Sequence, residues 1–182
     1  FQGSVKTRKY LPTSPEFHLK KALGLGYERC FELKECFRNG EEGEHHQPEF
    51  LMLEWYRCYE NNQAIILDLE QLIRSCAPQS PPLKTISMKD LWSQMLGIQL
   101  TPTMSAHDLK AQARQKGYQV DDHEEFDDTF TRLWVGEIEP RLKRERHPLV
   151  VCGFPPSQAA LARIGEDGWA DRIELYWQGV EL

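Results

Sequence analysis

The chain has 182 residues, 40% of them hydrophobic and 27% charged, with a formal net charge of −6. That length supports one domain with a real core. The acidic balance argues against non-specific binding to nucleic-acid phosphates but leaves room for a locally basic site. No apolar run approaches the roughly 20 residues that cross a bilayer, and no signal peptide is visible. The five cysteines, Cys30, Cys36, Cys58, Cys76 and Cys152, have irregular spacing and no CxxC. They read as a reduced, cytoplasmic protein and not as a zinc site.

The first four residues, "FQGS", look like the scar of a cleavable tag and are set aside. "TSPEFHLKKALGLG" then predicts a helix. Thr13 and Glu16 have capping-box spacing, and Pro15 falls in the first turn, where it costs little. Phe17, Leu19 and Leu23 supply its apolar surface, and Gly24 and Gly26 stop it. "RCFELKECFR" alternates, with Phe31, Leu33 and Phe37 on one side and Glu32, Lys34, Cys36 and Arg38 on the other. "EFLMLEWYRCY" alternates too, with Leu51, Leu53 and Trp55 opposed to Phe50, Met52, Glu54 and Tyr56. Paired as an antiparallel hairpin, the two strands put their apolar residues on one face. Arg38, Glu54 and Tyr56 share the other, a candidate cleft floor.

Residues 61–75 predict an amphipathic helix with Ile65, Ile66, Leu69, Leu72 and Ile73 inward. "APQSPPLK" breaks it and leads into a helical region. There Ser87 caps one helix and Ser105 another that ends at Gly117. A longer helix from about Glu124 presents Phe126, Phe130, Leu133, Trp134 and Ile138, and Pro140 interrupts or kinks it. "PLVVCGF" is a short buried strand, and "PPSQAALARIG" a loop with one helical turn. "RIELYWQGVEL" is a strand, a bend at Gly179 and a second strand piece. Helices mixed with antiparallel strands predict the α+β class.

The long charged loop "CFRNGEEGEHHQPEF" between the hairpin strands has two open readings. It is a solvated tip, its adjacent histidines a poor pair for one metal. Or it is an anion clamp, with the rigid Arg38 fork on a phosphate and Phe50 stacked beneath an adenine. Glu16 is either a helix-cap residue or an acceptor for an ammonium group. Glu54 is costly to bury unpaired. Arg38 could pair with it, or a cationic amine substrate could, with Tyr56 adding a directional hydroxyl. Glu181 is uninformative by itself.

Taken together, "TSPE", "FRN" followed by a charged loop and "PEF", and "GVEL" resemble class II aminoacyl-tRNA synthetases of the lysyl branch. "MLEWYR" and "PPSQAALARI" resemble, within that branch, the paralogues that attach lysine to elongation factor P. The resemblance implies a class II catalytic core, an antiparallel sheet flanked by helices, occupying residues 5–182 with a helical insertion at about 85–146. It implies ATP and Mg²⁺, an aminoacyl-adenylate of lysine or (R)-β-lysine, and transfer to a lysine of elongation factor P. It also implies a cytoplasmic, homodimeric parent protein. Elongation factor P is favoured over tRNA as acceptor. A lysyl-tRNA synthetase core and a non-catalytic synthetase-like binding module stay open as alternatives.

The resemblance also assigns residues. Ser14, Pro15, Glu16, Glu54 and Tyr56 match substrate-binding positions. Arg38 matches the motif 2 arginine that meets the α-phosphate, in a catalytic role. Asn39, Gly40, Gln47, Phe50, Glu181 and Leu182 match ATP-binding positions, with Glu181 also a metal position. Three loop residues depart from the family pattern: Gly40 stands in place of a glutamate, with Glu41 next to it, Glu44 in place of an arginine and Gln47 in place of an asparagine. Motif 1 belongs before residue 8 and motif 3 after Leu182. The chain is therefore expected to be a fragment lacking both, and inactive alone.

Overall fold

A computed structural model describes residues 10–43 and 46–182. The chain divides into two compact units, one ending at Asn61 and the other beginning at Asn62.

In the first unit, helix α1 (Glu16–Gly24) precedes strands β1 (Arg29–Phe37) and β2 (Glu49–Arg57). The helix cap differs from the expected one. Ser14 Oγ, not Thr13, accepts from the Glu16 N–H at 3.3 Å, and Pro15 sits at the N-cap. Gly24 is the last helical residue, and Gly26 takes the left-handed turn at φ +93°. β1 and β2 pair antiparallel from Arg29↔Arg57 to Phe37↔Glu49, the hairpin the alternation predicts. Facing pairs share a side of the sheet. Cys30/Tyr56, Glu32/Glu54, Lys34/Met52 and Cys36/Phe50 therefore line one face, and Phe31/Trp55 and Leu33/Leu53 the other.

Burial runs against the polarity of these faces. Cys36 on the mixed face is fully buried, and α1 buries Leu19. On the apolar face Phe31 is 74% exposed, Leu33 62% and Leu51 67%. Alternation fixes which residues share a face, but what covers a face is a matter of tertiary packing.

The second unit holds α2 (Asn62–Cys76), β3 (Lys84–Ser87), α3 (Met88–Leu96), α4 (Ala106–Gln115), α5 (Phe126–Leu133), a π-helical turn (Trp134–Ile138), α6 (Glu139–Leu142), β4 (Leu149–Phe154), β5 (Ala170–Trp177) and β6 (Val180–Glu181). Its sheet runs β3-β4-β5-β6. β3 and β4 are parallel, whereas β4–β5 and β5–β6 are antiparallel. This corrects the all-antiparallel expectation. β3 has four residues, too few for a readable alternation. Its parallel partner lies beyond a helical crossover, which local sequence does not reveal.

Ser87 and Ser105 cap α3 and α4 as expected, each accepting the amide N–H three residues on at 3.1 Å. Met88, Leu91, Trp92, Ile98, Leu109 and Ile138 are essentially inaccessible and form the main core. Trp92 stacks on Phe130 at 4.7 Å. A second cluster joins Ile73 of α2 to Val150 and Leu175, with Ile66 and Leu69 packed against it. Leu72, expected inward, is 39% exposed. The expected long helix breaks before Pro140 and not at it. A proline in the first turn of α6 has no N–H to return to the preceding turn, and the chain widens to a π turn there.

Candidate functional site

The first unit gathers most of the expected site residues. β1 delivers Arg38 to the base of the loop. Its Nε donates to Thr13 O at 3.3 Å, Nη1 lies 3.7 Å from a Glu41 oxygen, and its guanidinium sits 5.3 Å from the Phe50 ring centre. The Phe37 N–H donates to Pro12 O at 2.9 Å, tying "TSPE" to the strand that carries Arg38. Asn39 and Gly40 make the exposed turn after β1, with Gly40 at φ +81°. Gly43 and His46 exchange backbone hydrogen bonds at 3.2 and 3.4 Å, and Gln47 is exposed on the return to Pro48. Glu44 and His45 lie outside the described residues.

Arg38 and Glu54 do not pair, which corrects one of the two partners expected for Glu54. Arg38 is taken by Glu41 and Thr13. Glu54 accepts from the Tyr56 hydroxyl at 2.8 Å. Glu32 stands directly opposite Glu54 in the register, two like charges across a strand pair. Lys34, 3.4 Å away, answers the Glu32 charge, and its ammonium also lies 3.2 Å from His18 Nδ1. Among the described residues no cation answers Glu54.

Tyr56 is partly buried, and its hydroxyl is pushed well above the usual tyrosine range. Burial is the largest cause, then its bond to Glu54 and the nearby negative charges of Glu54 and Glu16. The phenol stays protonated and keeps donating. Glu16 pairs with Lys20 one turn along α1. Ser14 and Pro15 fix that helix start. The Glu54 carboxylate with the fixed Tyr56 donor beside it is suited to a cationic amine.

The second unit carries Glu181 and Leu182. Glu181 on β6 faces Tyr176 across the sheet, and the Leu182 N–H donates to Leu175 O at 2.9 Å. Tyr176 donates its hydroxyl to Glu174 Oε2 at 2.5 Å, and Arg172 bonds the other Glu174 oxygen. Arg172 lies 4.7 Å over the Phe154 ring and donates to Gln158 O at 2.6 Å. Burial, the Glu174 bond and the charges of Glu174, Glu181 and Glu139 raise the Tyr176 hydroxyl far above its ordinary value. Glu139, Glu174, Tyr176 and Glu181 open on one cavity of about 250 Å³.

Glu174 and Tyr176 were not singled out from sequence. The signal was present: "ELY" repeats the Glu-x-Tyr spacing of "EWY", and the strand period puts Glu174 on the side that faces Glu181. Magnesium commonly takes one or two carboxylates and fills its remaining positions with water and phosphate oxygens. Glu181 offers one carboxylate to that donor set, whereas both Glu174 oxygens are engaged by Arg172 and Tyr176. No group of three or more His, Cys, Asp or Glu forms a metal cluster among the described residues.

The sequence pattern of the family described as "tRNA synthetases class II (D, K and N)" matches residues 2–182. Three curated relatives carry the name elongation factor P--(R)-beta-lysine ligase. The protein from Haemophilus influenzae is 33% identical over 182 residues, 99% of this chain and 55% of that protein. The Mannheimia succiniciproducens protein is 35% identical over 182 residues, with the same coverage of 99% and 55%. The Klebsiella pneumoniae protein is 38% identical over 184 residues, 95% of this chain and 54% of that one. The chain spans about half the length of the curated relatives it matches.

Proposed function

Because this chain belongs to the class II tRNA synthetases of the D, K and N group, we propose that it is part of an AMP-forming ligase for lysine or (R)-β-lysine that modifies elongation factor P. The observation that carries the substrate class is Glu54. It is a half-buried carboxylate bonded to Tyr56 and left without a cation among the described residues, while its cross-strand neighbour Glu32 has Lys34. A substrate ammonium completes it. The names of the relatives support the acceptor.

The substrate carboxylate attacks the α-phosphorus of ATP and pyrophosphate leaves. A neutral lysine amine of the acceptor then attacks the acyl carbon. The bond to AMP breaks, and the amine gives up one proton. Arg38 meets the α-phosphate, exchanging Glu41 for phosphate oxygens, and Phe50 offers its ring to the adenine. Asn39, Gly40 and Gln47 line the loop that closes on the nucleotide, and Leu182 extends the edge that Glu181 begins. Ser14, Pro15 and Glu16 set the substrate end. Glu181 would hold magnesium, which neutralises phosphate charge when bound. Positioning and charge neutralisation are the whole of the catalysis asked of these residues.

The test is ATP–pyrophosphate exchange by the full-length protein with lysine, (R)-β-lysine and a neutral isostere lacking the terminal amine. Exchange with an amine-bearing substrate and none with the isostere is the expected result. Exchange that ignores the amine overturns the reading.

A further inference from the structure

The run "RLKRERH" from Arg141 to His147 places four Lys and Arg within seven residues of an acidic chain. Part of this charge is already answered. Arg141 lies 3.2 Å from Glu137 and also bonds Met95 O. Glu145, the acid in the run, is held by Lys84 at 3.5 Å and by the His147 N–H at 2.9 Å. Lys143, Arg144 and Arg146 are exposed and pair with no acid among the described residues.

The turn is fixed in place. Gly179, at φ +79°, lets the bend between β5 and β6 approach so closely that an added Cβ would stand 2.9 Å from Lys143 Cα and 3.0 Å from its N. The basic turn is thereby seated on the bend that leads, two residues on, to Glu181. Beside it lies a groove of about 520 Å³ whose walls include Pro78, Pro81, Arg146 and Trp177. Arg146 is the cation among its lining residues, with exposed Lys143 and Arg144 in the same turn, and apolar walls edged by Arg and Trp are the arrangement of a protein-docking surface. Nucleic acid is the poorer fit. Three cations neutralise few phosphates, whereas an apolar groove beside them has no use for a phosphate backbone.

We propose that this groove and its basic rim dock the acceptor protein through an acidic face beside the lysine to be modified. The inference rests on the reading of the chain as part of a ligase acting on a protein amine. Charge complementarity at the rim selects the partner and speeds its encounter, and the Trp177 groove takes an apolar side chain from it. Arg144 and Arg146 have no part in the adenylation residues named above.

The experiment uses the full-length protein, wild type and R144E/R146E, with R144A/R146A as a milder second variant. Two reactions are measured: pyrophosphate exchange without acceptor, and transfer of labelled lysine or (R)-β-lysine to elongation factor P. Exchange is expected to stay within about twofold of wild type, while the acceptor KM rises roughly tenfold in the reversal variant and less in the alanine variant. The wild-type KM should also rise with salt, more steeply than that of either variant. Transfer at the wild-type KM in low salt overturns the proposal. So does a parallel loss of exchange, which would place these charges in adenylation, or a selective loss of tRNA binding. If wild type supports no exchange at all, the ligase reading fails. Calorimetric binding of elongation factor P to wild type and R144E/R146E then still decides the docking surface.

Discussion

On the proposed reading, Glu54 is the residue on which substrate choice turns. A hydrogen bond to a charged group contributes about 1.5–3 kcal/mol, so E54Q should raise the KM for lysine by roughly tenfold to a hundredfold. The KM for ATP should change little, and steady-state exchange kinetics would separate the two. Y56F removes the donor and keeps the charge, so its effect on the lysine KM should be smaller. The two tyrosines bonded to glutamates also make a pH prediction. Both hydroxyls are raised in the folded state. A group whose folded value is raised lends stability below its unfolded value and withdraws it as pH rises toward the folded one. Stability should therefore fall from about pH 10 upward, where free tyrosine ionises. Y56F and Y176F should each flatten that fall in chemical denaturation curves.

At the scale of elements, the β5–β6 bend is the most constrained turn of the second unit. Gly179 combines a left-handed conformation with backbone atoms of Lys143 inside normal contact distance of any added Cβ. The conformation alone costs an alanine about 1–2 kcal/mol, and the clash moves backbone, not a flexible side-chain end. G179A should lower the melting temperature by several degrees, measured by circular dichroism. Truncation inside the main core acts by another route. Leu109 is fully buried, so L109A should cost about 2–5 kcal/mol in a denaturant titration. Helix starts at Ser87 and Ser105 and the bend at Gly179 were legible because cap and turn chemistry is local. Strand β3 and the π turn were not. A four-residue strand carries too little pattern, and the turn reflects how the residues before Pro140 pack.

On the scale of the whole molecule, the hairpin leaves Phe31, Leu33, Leu51 and Leu53 exposed on one side. Exposed apolar groups in a contiguous patch are a liability in water. The 182-residue chain on its own should bind a hydrophobic dye and self-associate in sedimentation velocity, and F31S/L51S should reduce both. If the untouched chain stays monomeric and dark, the patch is covered in solution. No helix among the described residues is long and apolar enough to cross a membrane.

Much of the candidate site could be read before any coordinates. The strand period put Glu54 and Tyr56 on one face, and the pairing register agrees, whereas Arg38 falls one residue past the end of β1. The "TSPE", "FRN", "PEF" and "GVEL" segments pointed to the family whose pattern matches residues 2–182. Sequence alone determined these features because periodicity, capping and motif spacing are written in neighbouring residues. Tertiary structure decided what depends on distant ones. It turned Arg38 to Glu41 and Thr13, left Glu54 to Tyr56, and added Glu174 beside Glu181. It also seated a basic turn against Gly179 and covered the mixed face of the hairpin while exposing the apolar one. In each case the outcome was set by which charges and surfaces the chain brought within contact distance.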